Sequence, residues 1–282
     1  MTTQEGDNVA VCAIKGNFDD AQNGVKAIFT NDEIKKILDD NGMMFSSANS
    51  INWGRLAPQI IYYVSAYATL VADEEIALGD KINVVVPTGN FGNILAAYFA
   101  KKMGVPIAKL ICASNSNKVL TDFINTGIYD RNRDFYTTIS PSMDILISSN
   151  LERLLYLLTG KDDAKIREWF GKLSSEEKYE VSDDIKALLK EDFYGGCCDD
   201  EQTKETIKKT YEKYSYTLDT HTAVAVKVYE DYKSATGDET RTIIASTASP
   251  YKFSASVLEA IDGKKPEIDE FAMVDRLYEI SQ

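Results

Sequence analysis

Basic charge, histidine and long apolar runs are all scarce in this chain. Its 282 residues carry 31 lysines and arginines against 44 aspartates and glutamates, a formal net charge of -13. Such a surface repels phosphate backbones and argues against nucleic acid as a partner. The net figure does not close off a local pocket, because an anion binds wherever backbone amides converge. The single histidine, His221, has no evident nucleophile or metal partner in the sequence. Of the four cysteines, Cys12 and Cys112 lie in apolar strand-like runs, and Cys197 and Cys198 are adjacent. That spacing matches neither a disulfide framework nor a zinc site. No metal is expected, and a reduced, cytoplasmic compartment is. The longest apolar stretches, 60–72 and 94–100, are too short and too interrupted to span a bilayer. The opening MTTQEGDN has no basic region and no apolar core, so it does not read as a signal peptide.

What is present suffices for a sizeable core, with 44% hydrophobic and 10% aromatic residues. The first half repeats one unit: an apolar strand, a polar loop and an amphipathic helix. NVAVCAI (8–14) reads as a short buried strand, with KGNFDDAQ and NGVKAIF as its loop and helix. MFSSA (44–48) is a second strand, NSINWGR (49–55) its loop and LAPQIIYYVSAYATLVA its helix. KINVVV (81–86), PTGNFGN and ILAAYFAKKMG make a third unit, stopped by Gly104. IAKLICA (107–113), SNSN and KVLTDFINTG make a fourth, stopped by Gly127. The pattern from about 150 to 215 is helical and charged. No strand is expected there, and the stretch reads as a helical insertion packed on a sheet domain. The alternation resumes with a helix at 221–235, a strand at 240–247 and a helix at 251–261. A short terminal helix follows Lys264, Lys265 and Pro266.

Alternating strands and helices imply a parallel sheet with helices on its faces. Ligands in such folds sit beyond the carboxyl ends of the strands, where these polar loops lie. PTGNFGN is the best site candidate. Glycines let a backbone approach an anion without a Cβ, and the helix that follows aims free N–H groups at the loop. It is neither a Walker A loop nor a G-x-G-x-x-G fingerprint. Pattern alone leaves two readings open, a phosphate loop and a plain strand-to-helix turn. In NSINWGR, Arg55 either clamps a carboxylate or phosphate or pairs on the surface, while the asparagines cap the helix. In SNSN, Ser116 or Asn117 reads as an N-cap. ISPSMDI (139–145) is a turn or a pocket edge. The hydroxyls of STASP (246–250) face a ligand or cap a helix, and His221 caps or orders the start of its helix.

Taken together in order, TTQEGDNVAVCAIKGNFDDAQNGVK, SSANSINWGRLAPQIIYY, VVVPTGNFGNILAAYFAKKMGVPI, TGIYDRNRDFYTTISPSMDILISSNLERLL, LDTHTAVA and STASPYKF closely resemble threonine synthase. That is a fold type II pyridoxal-phosphate (PLP) enzyme family. The resemblance implies conversion of O-phospho-L-homoserine and water into L-threonine and phosphate, with PLP as the electron sink. It implies that Gly89, Asn90, Phe91, Gly92 and Asn93 hold the cofactor phosphate. Thr247 would then sit near the pyridine nitrogen, and Asn49, Ser50, Asn52 and Arg55 on the substrate side.

One departure bears on activity. The family's Schiff-base lysine lies in a Phe-Lys-Asp type motif, and this sequence has no Phe-Lys-Asp. Its Tyr-Lys-Phe, at Lys252, matches a different family position. The likeness begins at residue 1 in what reads as mid-domain sequence. The expectation is therefore an α/β, parallel-sheet fold type II architecture that is incomplete. Residues 1–50 would be the remainder of the smaller domain, and 51–282 the larger PLP-binding domain with the insertion at about 150–215. The chain alone is expected to be inactive; a truncation, a misplaced start and a companion chain supplying the missing N-terminal part all stay open. The alternative is a non-catalytic remnant that binds PLP or another phosphorylated ligand.

Overall fold

The computed structural model describes residues 6–16 and 18–281, which divide into two units, 1–46 and 47–282. Expectations that fall on Met1–Glu5, Asn17 and Gln282 lie outside the described residues. In the first unit, α1 (Phe18–Thr30) leads to α2 (Asp32–Asp40), a helix the sequence reading omits. Asn31 caps α2 by accepting the Ile34 N–H, and Asp32 and Glu33 favour its positive end. Phe29 stacks on Phe45 at 4.7 Å.

The strands expected at 8–14 and 44–48 do not form. Residues 6–16 are exposed, and their one bridge pairs Gly6 with Val9. An apolar run becomes a strand only where a neighbour takes its backbone groups. Among the described residues, this unit offers no such neighbour.

The second unit begins with α3 (Trp53–Leu56) and α4 (Ile60–Ala72), joined by a 3-10 turn over Ala57–Gln59. The turn forms where Pro58 cannot donate a backbone N–H. Then come β1 (Ile82–Pro87), α5 (Gly92–Lys102), β2 (Ile107–Ser114), α6 (Val119–Thr126) and β3 (Ile128–Asp130). They are followed by α7 (Leu151–Leu158), α8 (Asp163–Ser175), β4 (Lys178–Glu180), α9 (Asp183–Asp192) and β5 (Phe193–Cys197). The remainder is α10 (Asp200–Tyr214), α11 (Thr220–Thr236), β6 (Thr242–Ile244), α12 (Ser254–Asp262) and α13 (Glu270–Ile280). Among the described residues no helix is long and apolar enough to cross a membrane.

The main sheet runs β5-β2-β1-β6 with every pair parallel. β1 is buried along its whole length, which is why INVVVP reads as a continuous apolar run. Side chains alternate between faces. Val84 and Val86 pack with Leu110 and Cys112 in the cluster that holds Leu95, Phe123 and Leu189. Val85 turns the other way, with Ile111 and Ala113, towards Val224, Val228 and Tyr232 of α11.

The expectation of no strand between 150 and 215 is overturned twice. β4 pairs antiparallel with β3, and β5 forms an edge of the main sheet beside β2. FYGGC does not look like a strand, because glycine weakens strands. The glycines are required by packing. A Cβ on Gly195 would lie 2.9 Å from the Thr121 carbonyl oxygen, and one on Gly196 would lie 2.6 Å from Val228 Cγ1. α6 and α11 therefore press on opposite faces of β5. This stretch is built into the sheet.

Asn83 is the polar exception inside β1. It is fully buried and bonded through both amide atoms: Nδ2 donates to Asp238 Oδ2 and Oδ1 accepts the Lys109 N–H where the β1–β2 register slips. Asp238 also accepts from Tyr232 Oη and the Thr240 N–H. Hydrogen bonds from Thr240 and Tyr232 hold its carboxyl well below the usual carboxylate range. The Tyr232 phenol is pushed up to about 12, by burial first and by Asp238 second. A depressed carboxylate contributes stability above its unfolded value of about 3.9 and loses it as pH falls towards the folded value. Acid unfolding followed by circular dichroism should therefore show Asp238→Asn less stable than the parent at pH 7, with the gap closing below about pH 3. A gap that is constant with pH would refute this role.

Candidate functional site

The turn after β1 is made by two glycines and one strained phenylalanine. Phe91 precedes α5 with φ 63° and ψ 7°, in the left-handed region that a bulky side chain avoids. Its ring is 1% exposed and lies 5.9 Å from the ring of Phe193. Burial of that ring offsets the backbone strain, and β5 supplies the surface it needs. Gly89 and Gly92 are close-approach positions. A Cβ on Gly89 would fall 2.4 Å from the Ser142 carbonyl oxygen, and one on Gly92 2.4 Å from Ser50 Oγ.

The loop is also tied down by its carbonyls and side chains. Ser148 Oγ donates to Gly89 O, and Asn150 donates to Asn90 O through both its backbone N–H and Nδ2. Ser149 Oγ donates to Asn90 Oδ1, and Tyr63 Oη donates to Asn93 Oδ1. Burial pushes the Tyr63 phenol up, so it stays protonated as a donor. Thr88 is satisfied locally, its Oγ1 donating to Val86 O.

The donors are left over. Among the described residues, the N–H groups of Gly89, Asn90, Phe91, Gly92 and Asn93 find no acceptor. Five free amides at the positive end of an eleven-residue helix are donors of the kind an anion takes. At the two glycines the space a Cβ would need is taken by Ser142 and Ser50, so only hydrogen fits and the loop packs closely on both. The residues present thus fit a phosphate group.

Of the residues singled out in the sequence, Asn93 and Thr247 come together. They line one cleft of about 500 Å³ with Tyr62, Tyr63, Ala66, Ile243, Ala245 and Ser246. The Asn49–Arg55 segment is placed differently. Asn52 caps α3 by accepting the Gly54 N–H, Asn49 Oδ1 accepts the Ile51 N–H, and Ser50 Oγ accepts from Asn150 Nδ2. These side chains shape the segment and lock it onto the glycine loop. Arg55 is exposed, and among the described residues its guanidinium has no partner.

Two cap expectations are corrected. Lys118, not Ser116 or Asn117, precedes α6, and no side chain caps it. Asn115 and Asn117 instead donate to the buried carboxylate of Asp144, which also accepts from Thr138. Asp219, not His221, caps α11, accepting the N–H groups of His221 and Thr222. Burial pushes the Asp219 carboxyl up, but the bonds from His221 and Thr222 outweigh it and hold the group low. Ser148, Asn150 and Tyr63 escaped the sequence reading. ISSN before a helix reads as ordinary capping, and nothing local marks Asn150 as reaching Asn90.

The family model "Threonine synthase, C-terminal" matches residues 222–280. The human protein "Threonine synthase-like 1" is 45% identical over 259 residues, covering 91% of this chain and 34% of that protein. Threonine synthase of Saccharomyces cerevisiae is 40% identical over 277 residues, covering 93% of this chain and 52% of that protein. Among solved structures, PLP-bound threonine synthase from Brucella melitensis superposes with a TM-score of 0.77 at 36% identity. That match covers 93% of this chain and 53% of the other. The yeast structure gives 0.75 at 35% identity, over 94% and 58%. This chain spans about a third to a half of the length of the curated relatives it matches. Its parallel sheet, its glycine loop and these likenesses agree: the chain resembles a part of threonine synthase and has the α/β fold type II architecture of those neighbours.

Proposed function

We propose that this chain carries the cofactor-binding part of a threonine synthase and that its glycine loop holds the phosphate of PLP. The observation that carries the reading is the set of five free amides beside two positions where only hydrogen fits. In this reading Gly89, Asn90, Phe91, Gly92 and Asn93 bind the phosphate. Thr247, in one cleft with Asn93, offers a neutral hydroxyl to the pyridine nitrogen. When bound, PLP supplies the electron sink for turning O-phospho-L-homoserine and water into L-threonine and phosphate. The protein's own part is to bind and orient. The α5 dipole favours a dianion, Tyr63 fixes Asn93, and the unpaired Arg55 is suited to a substrate carboxylate or phosphate. Residues 1–50 belong in this reading to the smaller domain and 51–282 to the larger, in a reduced, cytoplasmic setting; all four cysteines are free.

The 282 residues contain no Phe-Lys-Asp, the setting in which the resemblance places the cofactor-bearing lysine. The chain alone is therefore expected not to turn over, and a companion polypeptide carrying that motif completes the site. Ile61 and Tyr62 of α4 are 65% and 59% exposed, and Tyr62 lines the cleft, an apolar surface that a second polypeptide would cover in this reading. The same absence favours a second reading, a binder of PLP or another phosphorylated ligand without catalysis. Titration with PLP, read by quenching of protein fluorescence, tests both. Binding that inorganic phosphate competes away supports the loop assignment, and no binding overturns it. Threonine production from O-phospho-L-homoserine by the chain alone would overturn its inactivity. Turnover on mixing with a polypeptide that carries Phe-Lys-Asp separates the enzyme reading from the binder.

A further inference from the structure

We infer that His221 is a positioning residue for the phosphate loop, acting through a single hydrogen bond to the turn at Pro141–Met143. The inference rests on the phosphate-loop reading of PTGNFGN. His221 is 3% exposed in the first turn of α11, 132 positions along the chain from Gly89. Its Nε2 lies 3.2 Å from the backbone nitrogen of Ser142 and accepts that N–H. Its Nδ1 lies 3.5 Å from Asp219 Oδ1 and 3.4 Å from Thr220 Oγ1. An imidazole that accepts at Nε2 carries its proton on Nδ1, facing the Asp219 carboxylate. The ring packs against Phe253, centroids 4.8 Å apart and planes tilted by 50°, which restricts its rotation.

The other end of the relay is steric. The Ser142 carbonyl oxygen is the atom a Cβ on Gly89 would strike, so this turn is the wall on which the loop rests. The turn's far side is secured separately, by Asp144 accepting from Asn115, Asn117 and Thr138. His221 is the tie on the near side. Ser142 is exposed, so water can take its N–H once the acceptor is lost; what is lost is the tie itself, and the turn is then free to move from Gly89. The loop amides then lose the support that holds them ready for an anion.

Two substitutions separate this role from packing. His221→Gln carries an acceptor to the Nε2 position, whereas His221→Asn reaches only the Nδ1 position and keeps the Asp219 side alone. The dissociation constant for PLP, and for inorganic phosphate, should rise about tenfold in His221→Asn and stay within about threefold of the parent in His221→Gln. In the ligand-free chain, amide hydrogen exchange should quicken at Ser142–Asp144 and Gly89–Asn93 in His221→Asn, with β1 and α11 unchanged. Equal affinity and equal exchange in the parent and His221→Asn would overturn the inference. So would uniform loosening of the whole chain in both variants. If the parent binds neither PLP nor phosphate, the loop assignment fails, and the exchange comparison alone still decides whether His221 positions the turn.

Discussion

Gly89→Ala should abolish phosphate binding while leaving the fold largely intact. The added Cβ meets backbone on two sides, Ser142 O at 2.4 Å and Met143 Cα at 3.3 Å. Backbone cannot rotate away as a flexible side chain does. The turn has little room to retreat, because His221 and Asp144 hold it from two directions. Overpacking of this kind costs about 1–3 kcal/mol, or about 2–4 °C in melting temperature per kcal/mol for a unit of this size. The larger effect falls on the ligand, because relieving the clash with Ser142 shifts the loop and with it the amides that would hold a phosphate. Affinity for PLP should fall at least about a hundredfold, the factor set by some 2.7 kcal/mol. Gly171→Ala is the matched control. Gly171 is exposed in α8 with nothing within 4 Å of the added Cβ, and the change should stabilise by about 0.5–1 kcal/mol without touching affinity. Wild-type PLP affinity in Gly89→Ala would remove the loop from the site.

Phe91→Ala should be the most destabilising change at the loop, by about 3–5 kcal/mol, since it empties a fully buried aromatic position. The informative comparison is with Phe91→Gly. At most sites glycine is worse than alanine by up to about 1 kcal/mol, because it frees the unfolded chain. At φ 63° alanine keeps the left-handed strain that glycine escapes, worth about 1–2 kcal/mol. Urea denaturation should therefore find Phe91→Gly at least as stable as Phe91→Ala, the reverse of the usual order. If alanine is clearly the better residue, the positive φ at Phe91 is not a source of strain. Phe193→Ala should lower stability as well, because Phe193 packs on both Phe91 and Tyr98.

The second prediction turns on a strand the sequence conceals, β5, which carries Phe193. The repeating βα units around 81–127 are legible because each signal is local. INVVVP is apolar throughout, as a strand covered on both faces must be, and Gly127 stops α6 in the left-handed conformation that favours glycine. β5 is illegible for the opposite reason. Gly195 and Gly196 read as a break, and only the close approach of Thr121 and Val228 turns that break into a requirement. The same logic runs in reverse at 8–14, where the sequence pattern promises a strand and no neighbour completes it.

The candidate site divides along the same line. Sequence alone determined the order of the elements, the place of a glycine loop between a buried strand and a helix, and the family resemblance. All of these depend on residues a few positions apart, whose propensities and periodicity act within one turn or one strand. Tertiary structure decided which distant groups meet: Asn150 on Asn90, His221 on Ser142, Thr247 in one cleft with Asn93. It also decided that Gly89 has no room for a methyl group, and that Asn49, Ser50 and Asn52 serve their own segment and its contact with Asn150. Hydrogen-bond partners and free volume belong to surfaces brought together from separate parts of the chain, and a neighbouring residue type does not encode them.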